Sequence, residues 1–223
     1  MLINKRLYKI KQRAVLLLCA LLAGSFLGGC MNTTTATTAT TEATQPTEPT
    51  QPTRPAETTL VLQLEGNEEK VAAKLFMSDL GYSMYLETSS YEYSVTDSQI
   101  DTALKADRFT PVEALDNDPD MYLEIGHLDN ITKDAALALM KNQLTGRFPS
   151  LEQDGDIGVG VNKLDALVLR GINGSDWDSE AFMSAVFSDG GQGVYYYIIR
   201  YYFQAAEGFA SRFNQYLDTF RIE

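Results

Sequence analysis

Proline recurs at every third position through Gln45-Pro46-Thr47, Glu48-Pro49-Thr50 and Gln51-Pro52-Thr53, inside a longer Thr/Ala/Pro tract running from Met31 to Thr58. No other feature limits so strongly what the chain can fold into. Proline sets φ and removes a backbone donor, so the period-three run favours extended polyproline II. The Thr/Ala part carries too little apolar surface to offset the entropy of folding. The tract reads as a disordered tether, and the chain's core must form on its C-terminal side, as one domain over residues 59–223.

Upstream of the tether, Lys5, Arg6, Lys9, Lys11 and Arg13 precede an apolar run from Ala14 to Leu27. A spanning helix needs roughly 20 apolar residues, and this shorter run has signal-peptide length. It ends in Leu27-Gly28-Gly29-Cys30. That ending resembles the lipobox of bacterial lipoproteins, an aliphatic residue and two small ones before the lipidated cysteine. The resemblance implies a signal peptide over 1–29, cleavage before Cys30, and diacylglyceryl on its sulfur together with further acylation. The mature chain would then be a lipoprotein held in the cell membrane through Cys30, on its extracytoplasmic face. The competing reading is a soluble protein with a buried apolar amino-terminal helix.

All five charges before Cys30 are basic, so removing that segment takes the formal net charge from −12 to −17. An acidic chain with no remaining Lys/Arg cluster repels phosphate backbones, which argues against nucleic acid as a partner. Cys19 leaves with the signal and Cys30 becomes a thioether, so the domain is expected to have neither thiol nor disulfide and to rely on an ordinary core.

Within the domain, Leu60–Leu64, Lys70–Met77 and Tyr82–Glu87 read as successive strands. Ser98 followed by Asp101 suggests a helix start over 98–105. Phe109–Leu115 and Met121–Leu128 form a hairpin around the acidic loop 116–120. Thr132 caps a helix reaching Leu144, with Ala136, Leu139, Met140 and Leu144 on one face. Strands follow near 155–161, 164–171, 181–187 and 194–203. A closing helix over 205–220 buries Phe209, Phe213, Tyr216, Leu217 and Phe220. Strands that mostly follow one another directly predict a largely antiparallel sheet with two or three helices on one face, an α+β fold.

The order of elements, the Gly81-Tyr82 strand, Leu123-Glu124-Ile125 leading into a helix, and the closing Leu217-Asp218-Thr219-Phe220 together resemble the PsbP-like fold. That resemblance spans Leu60 to Ile222. It implies a binding or assembly factor and carries over no site residue.

Chemistry is sparse. The domain has no Gly-x-Ser-x-Gly, no cysteine and one histidine, His127, which reads as structural. No cofactor is expected; one histidine and no cysteine exclude the usual His/Cys zinc clusters, and oxygen-only metal sites stay open. Asp116, Asp118 and Asp120 begin like a calcium loop, but Met121 stands where glycine is required and His127 where glutamate is, so the loop reads as a solvated turn. Gly155, Gly158 and Gly160 match no phosphate-binding pattern and serve turns or bulges. Asn173-Gly174-Ser175 likewise reads as a turn. In Val194–Phe203, Tyr196, Ile198, Arg200 and Tyr202 share one strand face. With Trp177, the residues Tyr196, Arg200 and Tyr202 make the candidate ligand-binding set, since Tyr, Trp and Arg concentrate at recognition surfaces.

The sequence thus predicts a membrane-anchored, extracytoplasmic, non-catalytic module that binds a protein, peptide or small ligand. Two other classes stay open: a carboxylate-based extracellular hydrolase acting on glycan, and a structural subunit of an envelope complex.

Overall fold

The structure, a computed structural model, describes residues 53–112 and 121–223. The described chain runs β1 (Glu57–Leu64), β2 (Asn67–Met77), β3 (Tyr82–Leu86), β4 (Tyr91–Asp97), β5 (Lys105–Pro111), β6 (Tyr122–Leu128), α1 (Lys133–Leu144), β7 (Ser150–Val159), β8 (Leu164–Asn173), β9 (Glu180–Ser188) and β10 (Val194–Tyr202). A 3₁₀ turn (Phe203–Ala205), a π-helical turn (Ala206–Ala210), α2 (Ser211–Leu217) and β11 (Arg221–Ile222) close it. The fold is α+β and its strand pairings are antiparallel. The strands divide into a small sheet ordered β1-β2-β3-β11 and a large one ordered β4-β5-β6-β10-β9-β8-β7.

Local chemistry sets these elements. Glu65 and Gly66 both have positive φ (51° and 80°) and join β1 to β2 as a two-residue loop, the type I′ arrangement whose twist matches the strands it connects. Thr132 caps α1, its hydroxyl accepting the Ala135 N–H at 3.3 Å. After the β4-β5-β6 meander, α1 carries the chain to the far edge of the large sheet. From there β7 to β10 return strand by strand until β10 pairs with β6 in the middle.

Because β10 is central, its alternating residues feed two cores. Tyr195, Tyr197 and Ile199 pack with Leu62, Tyr82, Phe213, Tyr216 and Phe220 between the large sheet, the small sheet and α2. Tyr196 and Ile198 pack with Ile100, Ala136, Met140 and Phe182 beneath α1. The two helices therefore lie on opposite faces of the large sheet, where the sequence predicts one face. A small sheet occupies the space that a single-sheet reading leaves to helices.

Three further expectations change. Residues 91–97 form β4, although the sequence analysis assigns them to no element. The helix predicted over 98–105 is absent. Ser98 Oγ does accept the N–H groups of Ile100 and Asp101, each at 3.1 Å, but the chain then turns back into β5 with the Ser98 N–H bonded to the Leu104 carbonyl at 2.9 Å. The capping chemistry forms without a helix because Ile100 is drawn into the core under α1. The closing helix is interrupted by the π turn and stops at Leu217, so that Phe220 reaches the first core with its ring 4.9 Å from that of Tyr82.

The fold also begins a few residues before Thr59. Arg54 donates to Ser83 Oγ at 2.7 Å and to the Thr219 carbonyl at 2.8 Å, and its guanidinium sits 4.4 Å from the centre of the Tyr85 ring. Cys30, the lipobox-like segment, most of the tether and the Asp116–Asp120 loop lie outside the described residues.

Candidate functional site

Beside the π turn a groove of about 730 Å³ opens between the Glu65–Gly66 loop and the helical segment. Met183 and Tyr201 contribute apolar surface to it, while Arg170, Glu207, Ser211, Asn214 and Gln215 contribute polar groups. π turns widen a helix locally and recur at functional sites. Here the turn holds Gly208, and the Ser211 N–H is shared between the carbonyls of Ala206 and Gly208.

Several of these polar groups are already engaged. Arg170 Nε pairs with Asp154 at 2.7 Å. The Gln215 carboxamide binds the backbone of Gln63, and Asn214 donates to the Ala210 carbonyl at 2.9 Å. Tyr201 is half-buried, and burial raises its phenol pKa. The two groove carboxylates, Glu65 and Glu207, are both exposed. Among the described residues no histidine lines the groove. The arrangement suits binding: an aromatic and thioether surface for an apolar face, with a polar wall to orient it.

The candidate set from the sequence separates into two pairs. Tyr196 is fully buried, its hydroxyl 2.6 Å from Ser98 Oγ and 3.1 Å from Glu124 Oε1. Arg200 is buried with Nε 2.5 Å from Glu180 Oε1 and its guanidinium 5.9 Å from the centre of the Tyr122 ring. Both belong to the interior, because β10 is the middle strand of a sheet covered on both faces. Placing them on a ligand-binding surface is thereby corrected. Trp177, in contrast, is 70% exposed in the β8–β9 connection, its carbonyl accepting the Gln204 N–H at 3.0 Å. Tyr202 is half-buried at the end of β10. Tyr201, beside the groove, lies on the opposite face of the strand from Tyr196, Arg200 and Tyr202 and is not in the candidate set. Only the distant Glu65–Gly66 loop and the π turn make that end of the strand one side of a cavity.

His127 sits between two carboxylates, Nε2 3.0 Å from Asp189 and Nδ1 3.4 Å from Asp129. Gly155 lies in a β-bulge and Gly160 in a turn, both with positive φ. Among the described residues no group of three His, Cys, Asp or Glu side chains is placed to hold a metal, and no helix is long and apolar enough to cross a membrane. The chain matches no family model, and no curated protein matches it in sequence.

Proposed function

We propose that this chain is a lipoprotein of the cell membrane, anchored through Cys30 on the extracytoplasmic face, with a PsbP-like domain that binds a peptide, protein or small ligand. The groove beside the π turn carries the binding part of this reading: it is large enough for a ligand and combines the Tyr201 and Met183 surface with hydrogen-bonding walls. Leu27-Gly28-Gly29-Cys30 after a short apolar run supports the anchor, and the Thr/Pro tract would hold the domain clear of the bilayer.

Two experiments test the two halves. Cys30→Ser abolishes labelling by radioactive palmitate and leaves the signal uncleaved; unchanged labelling rules out the anchor. For the groove, material retained from an envelope extract by the full chain is compared with that retained by Tyr201→Ala and Met183→Arg. A component held by the parent chain is lost from both variants. Identical recovery from all three removes the groove from the proposal.

A further inference from the structure

Among the described residues the two sheets have four lateral edges, and three carry a device that limits edge-to-edge pairing. At β1, the Gln215 carboxamide accepts the Gln63 N–H at 2.6 Å and donates to the Gln63 carbonyl at 2.9 Å, blocking the end of that edge at one residue. β7 is broken by a bulge between Gln153 and Asp156 and carries Asp154 and Asp156. β11 is two residues long. Bulges, charges and short strands are the devices by which sheets avoid edge-to-edge pairing. β4 has no bulge or proline, and Glu92, Tyr93, Ser94 and Val95 are all exposed.

The ladder between β4 and β5 is bounded by bonds from the Val112 N–H to the Ser90 carbonyl at 3.0 Å and from the Ser98 N–H to the Leu104 carbonyl at 2.9 Å. Bonding alternates along an antiparallel ladder. The even-numbered residues therefore bond to β5, and the N–H and C=O groups of Tyr91, Tyr93, Val95 and Asp97 point away from the sheet. Among the described residues no strand pairs with them. Tyr93 and Val95, 48% and 57% exposed, share a face of this edge. The Tyr93 hydroxyl donates to buried Asp107 at 2.9 Å, which holds the ring in place.

The geometry points to β4 as an interface with a second copy of the chain, the two β4 strands pairing antiparallel about a two-fold axis at Ser94. The strand's own sequence selects this occupant. Only this register pairs all seven residues of β4 with their counterparts. It sets Tyr93 against Val95 twice, a favourable aromatic to β-branched cross-strand pair. Glu92 meets Thr96, and Asp97, already paired with Lys105 Nζ at 2.5 Å, meets Tyr91. No like charges oppose each other. Nothing in the strand selects a basic foreign peptide, because Glu92 is its one charge outside that ion pair. The inference is independent of the groove.

The register makes a covalent test possible. Ser94 and its symmetry mate form a non-hydrogen-bonded pair with Cα atoms about 4.5 Å apart, within disulfide reach. In the full chain, oxidised in the membrane, Ser94→Cys is expected to give a disulfide dimer on a non-reducing gel. The unsubstituted chain is the control for Cys19 and Cys30. Thr96→Cys alone should stay monomeric, whereas Glu92→Cys and Thr96→Cys chains made together should cross-link. Absence of the Ser94→Cys dimer, or equal cross-linking at all three single positions, overturns the interface. Independently, Val95→Pro removes an outward N–H without touching the ladder. It should weaken dimerisation at least tenfold in detergent sedimentation while leaving the near-ultraviolet circular dichroism unchanged. A parent chain that sediments as a monomer, or that binds an added extended peptide along β4 in place of a second copy, overturns the proposal as well.

Discussion

The tip of the Tyr196 ring occupies the space that a side chain on Gly126, its cross-strand partner, would take: a Cβ built on Gly126 would lie 2.4 Å from Cε1, Cζ and the phenol oxygen. The same device recurs on that face, where a Cβ on Gly171 would lie 2.4 Å from Cε1 of its partner Phe182. Two glycines thus admit large rings into the layer beneath α1. Gly126→Ala is expected to cost about 2 kcal/mol by overpacking, and to lower the melting temperature by roughly 6 °C. Gly146→Ala, where a Cβ meets nothing within 4 Å, is the control and should cost nothing. Differential scanning calorimetry of both variants checks this.

Glu124 is fully buried, with Oε2 2.7 Å from Arg108 and Oε1 2.9 Å from the Gln99 N–H. Removing one partner of a buried ion pair costs more than removing both. Glu124→Ala should therefore lose about 3 kcal/mol in urea unfolding, and the double change Glu124→Leu with Arg108→Leu should recover part of it, the Gln99 N–H still lacking its acceptor.

Tyrosines dominate the alkaline behaviour. Burial raises the phenols of Tyr195 and Tyr93 to about 12, with nearby aspartates adding to the effect, and raises Tyr82, Tyr91, Tyr122, Tyr196, Tyr197, Tyr201 and Tyr216 as well. A phenol whose folded pKa lies above its unfolded value of 10.0 contributes stability that is complete below pH 10 and is lost as pH rises toward the folded value. Phenolate absorbance at 295 nm and loss of circular dichroism should appear together above pH 10. Early ionisation of Tyr82, Tyr196 or Tyr197 without unfolding would contradict their burial.

Asp189 contributes on the acid side. Burial pushes its carboxyl up, but the Gly191 N–H at 2.7 Å, the His127 ring at 3.0 Å and the Gly193 N–H at 3.1 Å outweigh that and leave its pKa below the ordinary 3.8. Its contribution is present above pH 3.8 and is lost as pH falls through the lower folded value. Asp189→Asn should be about 1 kcal/mol less stable than the parent at pH 7, and the gap should close below pH 4 in parallel urea titrations.

Much of this architecture is legible in the sequence, for reasons that particular residues make plain. Leu60, Leu62 and Leu64 alternate with outward residues because β1 lies on the edge of a sheet with one covered face. Thr132 announces α1 because its cap is a local hydrogen bond. Ser98 announces a helix just as clearly and forms none, since the same local bonds serve a tight connection once Ile100 has a core to enter. β4 shows the opposite failure. Its Tyr91-Glu92-Tyr93-Ser94-Val95 alternation is a usable strand signal.

The candidate site was less legible. In β10 the pattern of Tyr195 to Tyr202 states that both faces are aromatic, and it is silent on which rings meet solvent. That depends on what lies over each face: α1 covers Tyr196, α2 and the small sheet cover Tyr197, and only the end of the strand at Tyr201 and Tyr202 escapes.

The sequence alone therefore determines that the core lies beyond the Thr/Pro tract, that the chain is acidic, that the domain has no thiol, and that strands outnumber helices, because each of these follows from composition or short-range periodicity. Tertiary structure alone decides that β10 is central, that Tyr196 and Arg200 are interior, that a groove opens beside Tyr201, and that β4 lies at a sheet edge with no strand beside it among the described residues. Each of these depends on elements far apart in the chain being brought together, and local periodicity carries no record of which neighbour will cover a given face.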